Sequence, residues 1–250
     1  MPNKTKILYL SPHLDDAVLS SGGLLRQLIS NLPPQNITIA NIFTRSLWAP
    51  GYGGVKSTDV ISATRVAEDR LYIQDLGVTA QYLGYKDSSL RGYDDYSELH
   101  GNYETDFISE TVRNAVQQLI GGSEFDYIFC PLAIGSHIDH VIVNKSVKYL
   151  QVDNVILYED LPYSCLYLDD NVQLSKDYNL GHYSECVTQI DINKKVFDIH
   201  YYNSQMEAGL VEKIILHALK QGKGIAAERL WVSEKTRRKI KGGSLCCKIQ

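Results

Sequence analysis

The sequence predicts an α/β fold, a three-layer arrangement in which helices cover a mostly parallel sheet. Short apolar runs typical of buried strands alternate with segments whose apolar residues recur at helical spacing, and this alternation is typical of parallel sheets. The chain has 250 residues, 44% of them hydrophobic, which is enough for one large domain with a sizeable core. Neither a repeat nor a linker interrupts it, so we expect a single domain over residues 1–250.

The predicted elements follow in order from the N-terminus. Four apolar residues at 7–10 predict the first strand, because so short an unbroken run suits a strand buried on both faces. The next apolar positions suit a helix: 18, 19, 24, 25, 28 and 29. Further strands are predicted at 36–43, 81–85, 127–130, 155–158 and 186–190. Further helices are predicted at 62–76, ended by Gly77, at 105–120, ended by Gly121 and Gly122, and at 141–150, 193–205 and 207–221.

Three long segments lie between these elements. Residues 46–59 and 88–103 follow predicted strands, where long loops are usually functional or mobile, and the second segment is a candidate lid. Residues 164–184 are polar and irregular in pattern. A basic, frayed tail is expected from Lys235 onward.

The composition excludes several classes of protein. A formal net charge of −4 carries no signature of binding to nucleic acid or to an acidic membrane surface. No apolar stretch is long enough to span a membrane and no signal peptide precedes the first strand, so we expect a soluble, cytoplasmic protein. The five cysteines include no C-x-x-C pair, which predicts reduced thiols rather than disulfides or a thiolate zinc site.

The first candidate site follows the strand at 7–10. His13, Asp15 and Asp16 lie at the turn between this strand and the next helix, and ligands bind at the carboxyl ends of strands in open α/β sheets. His13 and Asp16 can face one point and offer a nitrogen and an oxygen to Zn²⁺. Asp15 is close enough to take a proton from a metal-bound water. In a purely structural interpretation, Asp16 caps the helix and His13 is a loop residue.

A second cluster follows the strand at 127–130. His137, Asp139 and His140 precede the helix at 141–150 and so repeat the arrangement of the first turn. Either histidine can complete a three-ligand site with one position open for water, which is typical of catalytic zinc. Asp139 can orient a neighbouring imidazole through its second nitrogen. The alternative is a helix start whose residues serve only as caps.

The two clusters together resemble the signature motifs of the PIG-L (LmbE-like) family of zinc-dependent de-N-acetylases: Ser11-Pro12-His13-Leu14-Asp15-Asp16 and His137-Ile138-Asp139-His140. Weaker similarity extends over most of the chain, at Thr44, Arg65, Glu68, Gly84, Asp87 and the segments 158–163, 202–205 and 228–231. The sequence differs from the commonest form of the motifs at three positions, none of them a proposed ligand: Leu14, Ala17 and Ile138.

The resemblance implies a Rossmann-like fold and an enzyme that removes acetyl groups from N-acetylglucosamine-type sugars. It implies three zinc ligands, namely His13, Asp16 and His140. It implies two catalytic groups, Asp15 as the general base and His137 as the residue that stabilises the transition-state oxyanion. It also implies two residues that contact the sugar, Arg65 and Asp87.

We therefore predict a hydrolase that removes an N-acetyl or similar N-acyl group from a small molecule containing an amino sugar, with a zinc-bound water as nucleophile. One alternative is a sugar-nucleotide transferase that holds Mg²⁺ with paired aspartates. It is disfavoured because Gly22 and Gly23 fall within a helix rather than in a G-x-G-x-x-G turn, and because histidine suits Zn²⁺ better than Mg²⁺. The other is a non-catalytic sugar-binding or metal-binding module, which would release no acetate.

Overall fold

The structure, a computed structural model, describes residues 4–93, 103–167, 178 and 180–241. Its strands, β1 to β7 in chain order, are Ile7–Ser11, Ile37–Arg45, Thr79–Lys86, Tyr127–Pro131, Val155–Tyr158, Tyr183–Gln189 and Ala227–Ser233. They form one sheet in the order β3-β2-β1-β4-β5-β7-β6. The first five strands are parallel to one another, whereas β7 is antiparallel to β5 and β6 is antiparallel to β7. The predicted mostly parallel sheet is confirmed.

The helices of the described residues, α1 to α8, are Asp16–Ile29, Thr58–Leu76, Ser109–Gly121, Ile138–Leu150, Tyr163–Tyr167, Ile192–Ile199, Leu210–Gln221 and Glu234–Lys241. Short 3₁₀ helices lie at Pro34–Asn36, Ser88–Leu90 and His200–Gln205. Within these described ranges, none of the helices combines the length and apolar character needed to cross a membrane.

The sheet is covered on both faces, as the side chains of β1 show. Ile7 and Tyr9 belong to one buried cluster, which takes in side chains of α1, α2, α6 and α7. Leu8 and Leu10 point to the other face and pack with side chains of α3 and α4. Because successive residues of a strand face opposite sides, a strand buried on both sides needs a continuous apolar run. The run at 7–10 therefore marks the centre of the three-layer fold.

The structure differs from the predicted elements mainly in the last third of the chain. β7 is absent from the predicted strands because Glu228 and Arg229 interrupt its apolar pattern. Both side chains can be largely buried because each is paired with an opposite charge: Glu228 with Lys195, and Arg229 with Glu159. The predicted helix at 193–205 is α-helical only as far as Ile199 and continues as a 3₁₀ helix.

The predicted loops are described in part. The segment 46–59 is described throughout, and α2 begins near its end, at Thr58. Within the other two predicted loops, residues 94–102, 168–177 and 179 lie outside the described residues, as do residues 242–250 of the predicted tail. The tail begins with α8 rather than a frayed segment. A single domain over the whole chain stays a prediction.

A kink divides α1, and a residue of β7 stabilises it. Ser21 has φ −140° and ψ 22°, which are not helical values. The carboxylate of Glu228 accepts hydrogen bonds from the backbone N–H groups of Gly23 (3.0 Å) and Leu24 (2.8 Å), so the amides released by the kink are satisfied. A Cβ atom on Gly23 would lie 2.6 Å from Ile190, so only glycine allows this close approach of α1 to the chain after β6.

The same carboxylate forms a buried ion pair with Lys195, whose Nζ lies 2.6 Å from Oε1. We expect Lys195→Met to lower the free energy of unfolding by about 3 to 5 kcal/mol, because it leaves a buried carboxylate without its cation. Urea unfolding would measure the change. The double variant Lys195→Met/Glu228→Gln should recover part of the loss, since no charge is then left unpaired. A loss below about 1 kcal/mol in the single variant would contradict the expectation.

Candidate active site

The two predicted clusters lie side by side at the carboxyl edge of the sheet. β1 and β4 are neighbouring parallel strands, and His13 follows β1 while His137 is the N-cap of α4 after β4. β2 lies on the other side of β1, so the chain reverses its winding direction between β1 and β4. Ligands of open α/β sheets bind in the crevice at such a switch point.

Three buried side chains meet at one point there. Oδ2 of Asp16 lies 3.3 Å from Nδ1 of His13 and 3.3 Å from Nε2 of His140. The same oxygen accepts a hydrogen bond from the backbone N–H of His13 at 2.6 Å. One ligand atom from each residue lies within 4.8 Å of the others. Sequence positions more than a hundred residues apart therefore converge on one small volume.

This donor set fits a metal ion. Among the described residues, Nε2 of His140 is fully buried and lies 3.3 Å from Oδ2 of Asp16, but forms no hydrogen bond of acceptable geometry, whereas a buried polar atom normally forms one. Two imidazole nitrogens and one carboxylate oxygen are ligands typical of Zn²⁺, and three protein ligands leave a coordination position open for water. Within the part of the chain that the structure describes, His13, Asp16 and His140 thus form a group that could hold such an ion.

The surroundings of the two histidines favour positive charge. Burial alone would lower the pKa of an imidazole, but Asp16 opposes it, helped by Asp139 at His13 and by Asp160 at His140. The net effect raises the pKa of His13 to about 10 and that of His140 to about 9. The same carboxylates would stabilise a divalent cation at this point, and binding of that cation would release the imidazole protons.

The second ring nitrogen of each of these imidazoles contacts a carboxylate. Nε2 of His13 lies 2.9 Å from Oδ2 of Asp139, and Nδ1 of His140 lies 2.7 Å from Oδ1 of Asp160. Such partners fix the ring orientation of metal-binding histidines. Asp160 follows β5, the neighbour of β4. From the sequence, the signals for this residue were its place directly after a buried strand and its position in the segment 158–163, which resembles the family.

Arg91, which the sequence interpretation missed, holds Asp139 in place. Its guanidinium NH2 lies 2.7 Å from Oδ1 of Asp139 and 2.9 Å from Oδ2 of Asp106. The other carboxylate oxygen of Asp139 accepts the backbone N–H of Ser88 at 3.0 Å. The hydrogen bond with His13 and the charge of Arg91 outweigh burial and hold the pKa of Asp139 below its usual value. No periodic pattern in the loop indicated this role for Arg91.

We expect Asp139→Asn to weaken metal binding about 10- to 100-fold, because the amide cannot match the carboxylate as a partner of His13 and Arg91. Competition with a chromogenic zinc chelator would measure the affinity. Asp59→Asn is a matched control, since the Asp59 side chain is 95% exposed and far in sequence from both clusters. Equal affinities in the two variants would contradict an orienting role for Asp139.

His137 faces the same cleft as a neutral imidazole. Burial lowers its pKa well below the ordinary value. Its Nδ1 accepts the backbone N–H of Asp139 at 3.2 Å, which assigns the hydrogen of the neutral ring to Nε2. Nε2 lies 3.5 Å from Oγ of Ser88. His137 can therefore donate a hydrogen bond to a group bound in the cleft.

Asp15 is paired with Arg65 of α2. NH2 of Arg65 lies 3.0 Å from Oδ1 of Asp15, and NH1 lies 3.7 Å from Oδ2 of Asp87. Arg65 is only 3% exposed, and Glu68, which follows it on α2, accepts two hydrogen bonds from Ser204. The predicted sugar-contacting residues Arg65 and Asp87 thus lie beside the predicted base.

A cleft of about 340 Å³ connects these groups. Its wall includes residues of both clusters, of the segments after β2 and β3, of α5, and of the chain from the third 3₁₀ helix into α7, among them Trp48, Ser89, Tyr163, Leu166, Gln205, Glu207 and Lys213. The Tyr163 ring lies 5.0 Å from that of His140 and 5.4 Å from that of His137, measured between centroids. The cleft is therefore polar at the clusters and partly apolar around them.

The sequence also matches known proteins. Residues 8–150 match the PIG-L family, described as GlcNAc-PI de-N-acetylase. A 2'-N-acetylparomamine deacetylase of Streptomyces fradiae is 32% identical over 236 residues, which cover 90% of this chain and 81% of that protein. Together these matches define an enzyme of the N-deacetylase class, a hydrolase. The chain belongs to the PIG-L family, as the two clusters predict.

Solved structures share the fold. A deacetylase–teicoplanin complex superposes with a TM-score of 0.70 at 23% identity and covers 92% of this chain and 99% of that one. The N,N'-diacetylchitobiose deacetylase from Pyrococcus horikoshii gives a TM-score of 0.60 at 20% identity, covering 90% and 82%. The Rossmann-like arrangement is therefore common to this chain and to deacetylases of low sequence identity.

Proposed function

We propose that this enzyme hydrolyses the N-acetyl amide of a small molecule containing an amino sugar, with Zn²⁺ as its cofactor. The observation that carries the proposal is the convergence of His13, Asp16 and His140, with Asp15 and His137 on the wall of the same cleft. The similarity to the 2'-N-acetylparomamine deacetylase over most of both chains supports a small N-acetylated substrate. A cleft of about 340 Å³ has the size of a small-molecule site.

Zn²⁺ bound by the three ligands would lower the pKa of a water molecule and polarise the amide carbonyl. The proton transfers and the positioning of the reacting groups are assigned to side chains of this protein. Asp15 accepts the proton of the attacking water as general base and returns it to the leaving amine as general acid. Arg65 holds the Asp15 carboxylate in place at 3.0 Å.

His137 completes the proposed mechanism. As a neutral imidazole with its hydrogen on Nε2, it donates to the carbonyl oxygen as negative charge develops there. A preorganised donor of this kind contributes about 3 kcal/mol to transition-state stabilisation. Arg65 and Asp87 are the proposed contacts to the sugar. They would use the hydrogen-bonding groups that are not occupied by their pairing with each other.

The test is an acetate-release assay over N-acetylglucosamine, N,N'-diacetylchitobiose and 2'-N-acetylparomamine. Each substrate is assayed with the enzyme as purified, after treatment with a chelator, and after addition of Zn²⁺ or Mg²⁺. We expect chelation to abolish release and Zn²⁺ to restore it. Release that is insensitive to chelation would overturn the metal requirement, and no release from any N-acetyl sugar would overturn the proposed substrate class.

A further inference from the structure

The segment that joins the third 3₁₀ helix to α7 borders the cleft. Gln205 ends that 3₁₀ helix, Glu207 follows it, and both residues line the cleft. Gln205 is 5% exposed, and its Nε2 donates to the Trp48 carbonyl at 3.3 Å and to Oγ of Ser204 at 2.8 Å. The Ser204 hydroxyl gives its own hydrogen to Glu68, so the orientation of the Gln205 amide is fixed. Oε1 of Gln205 accepts no hydrogen bond from a described residue, and it remains an acceptor for a bound group.

The backbone on both sides of Glu207 is anchored. Before it, the hydroxyl of Tyr202, which is fully buried, donates to Oδ1 of Asp69 at 2.7 Å. After it, the Glu207 carbonyl accepts the N–H of Leu210 at 3.1 Å, where α7 begins. A ligand that contacts this segment therefore pays little conformational entropy to order the backbone.

Glu207 carries a charge that no neighbour neutralises. Within the described ranges, its exposed side chain forms neither an ion pair nor a hydrogen bond. Apart from the proposed metal ligands, the other carboxylates of the cleft wall are Asp15 and Asp87, which share the guanidinium of Arg65. Lys213 is the second cation of this wall. Three carboxylates thus face two cations, and the wall favours a positively charged ligand.

We propose that Glu207 is a specificity-determining residue that binds a protonated amino group of the substrate, separate from the acetylated nitrogen. The inference rests on the proposed function. An ammonium group donates hydrogen bonds and accepts none, so it suits the Glu207 carboxylate and Oε1 of Gln205, two positions earlier in the chain. A hydroxyl group could donate to the same oxygens, but it would leave the charge of Glu207 uncompensated. The substrate class is therefore an amino sugar with a free amino group besides its N-acetyl group.

The first test compares two substrates that differ in charge. 2'-N-acetylparomamine carries free amino groups, whereas N,N'-diacetylchitobiose carries none. We expect Glu207→Gln to raise KM for 2'-N-acetylparomamine about three- to tenfold, because a charge-assisted contact at a partly exposed position is lost. KM for N,N'-diacetylchitobiose should change less than about twofold, and kcat for either substrate less than about threefold, since the contact is made outside the reaction centre.

Three further variants are the controls. Glu207→Asp keeps the charge and should retain part of the affinity, and it covers the case in which Glu207→Gln does not fold. Lys213→Met removes a cation from the same wall and should lower KM for 2'-N-acetylparomamine or leave it unchanged. Glu212→Gln removes an exposed carboxylate of α7 that does not line the cleft, and it should leave both kinetic constants unchanged.

The second test measures binding without turnover. Calorimetry gives the Kd of paromamine, the free amine, for the wild type and for Glu207→Gln at low and at high salt. We expect weaker binding to Glu207→Gln at low salt and a smaller effect of salt on that variant, because salt screens an exposed charge pair.

The outcomes distinguish the role of Glu207 from the proposed function. An equal change in KM for both substrates in Glu207→Gln, or a rise in KM for 2'-N-acetylparomamine in Lys213→Met, would overturn the role of Glu207 and leave the proposed function intact. Absence of acetate release from both sugars would overturn the proposed function. In that case calorimetry still decides the role of Glu207, which an equal Kd of paromamine for the wild type and Glu207→Gln would overturn.

Discussion

Replacement of Asp15 by asparagine is expected to lower kcat for acetate release by about 10²- to 10⁴-fold, the usual contribution of a general base. The amide oxygen can still accept the hydrogen bond that Arg65 donates to Asp15 at 3.0 Å, so the local structure should persist. The amide cannot take up a proton at ordinary pH, and the step that activates water would lose its proposed base. Steady-state kinetics of acetate release measure the effect.

The zinc content of the Asp15→Asn variant serves as the control for this prediction. Asp15 is not among the three converging ligand residues, so elemental analysis should find the same zinc content in Asp15→Asn and in the wild type. Asp59→Asn, which removes a carboxylate outside the cleft, should leave kcat unchanged. Full activity in Asp15→Asn with zinc retained would show that another group is the base.

Replacement of His140 by alanine should have the largest effect on the metal site. It removes a proposed ligand atom outright, so the affinity for Zn²⁺ should fall by more than the roughly 10- to 100-fold expected for Asp139→Asn, and acetate release should fall with it. The variant should also be less stable, because Asp160 is fully buried and would lose its imidazole partner at 2.7 Å.

Metal content, chelator competition and thermal unfolding measure these effects. His182→Ala is the matched control, since His182 is exposed and belongs to neither cluster. Zinc addition should stabilise the wild type and the control against heat, and should leave His140→Ala unchanged. Zinc-dependent stabilisation of His140→Ala equal to that of the wild type would contradict the ligand assignment.

The sequence could predict the centre of this fold and the position of its site. The runs at 7–10 and 127–130 are buried on both faces and are therefore apolar without interruption. Each is followed within a few residues by a histidine and aspartate cluster and then by a helix. Parallel strands carry such turns to one edge of the sheet, so two local patterns are enough to predict that the clusters meet.

Other parts of the site were not predictable in this way. Arg91 and Asp160 acquire their roles from partners far along the chain, Asp139 and His140, and no local periodicity marks such contacts. β7 was missed for a related reason, since the charges of Glu228 and its neighbour are neutralised by distant partners. Because these charged residues form buried ion pairs, they occupy strand positions at which the pattern of a buried strand predicts apolar residues.

The kink of α1 has a consequence for the exchange of segments between related enzymes. The region 8–150 that matches the family contains both clusters, yet the carboxylates beside His140 and at the α1 kink come from Asp160 and Glu228. A chimaera joined at residue 150 would combine an imidazole and a helix from one parent with their anionic counterparts from another. In a hybrid enzyme of this family, both residues of each such contact should therefore come from the same parent enzyme, wherever the crossover is placed.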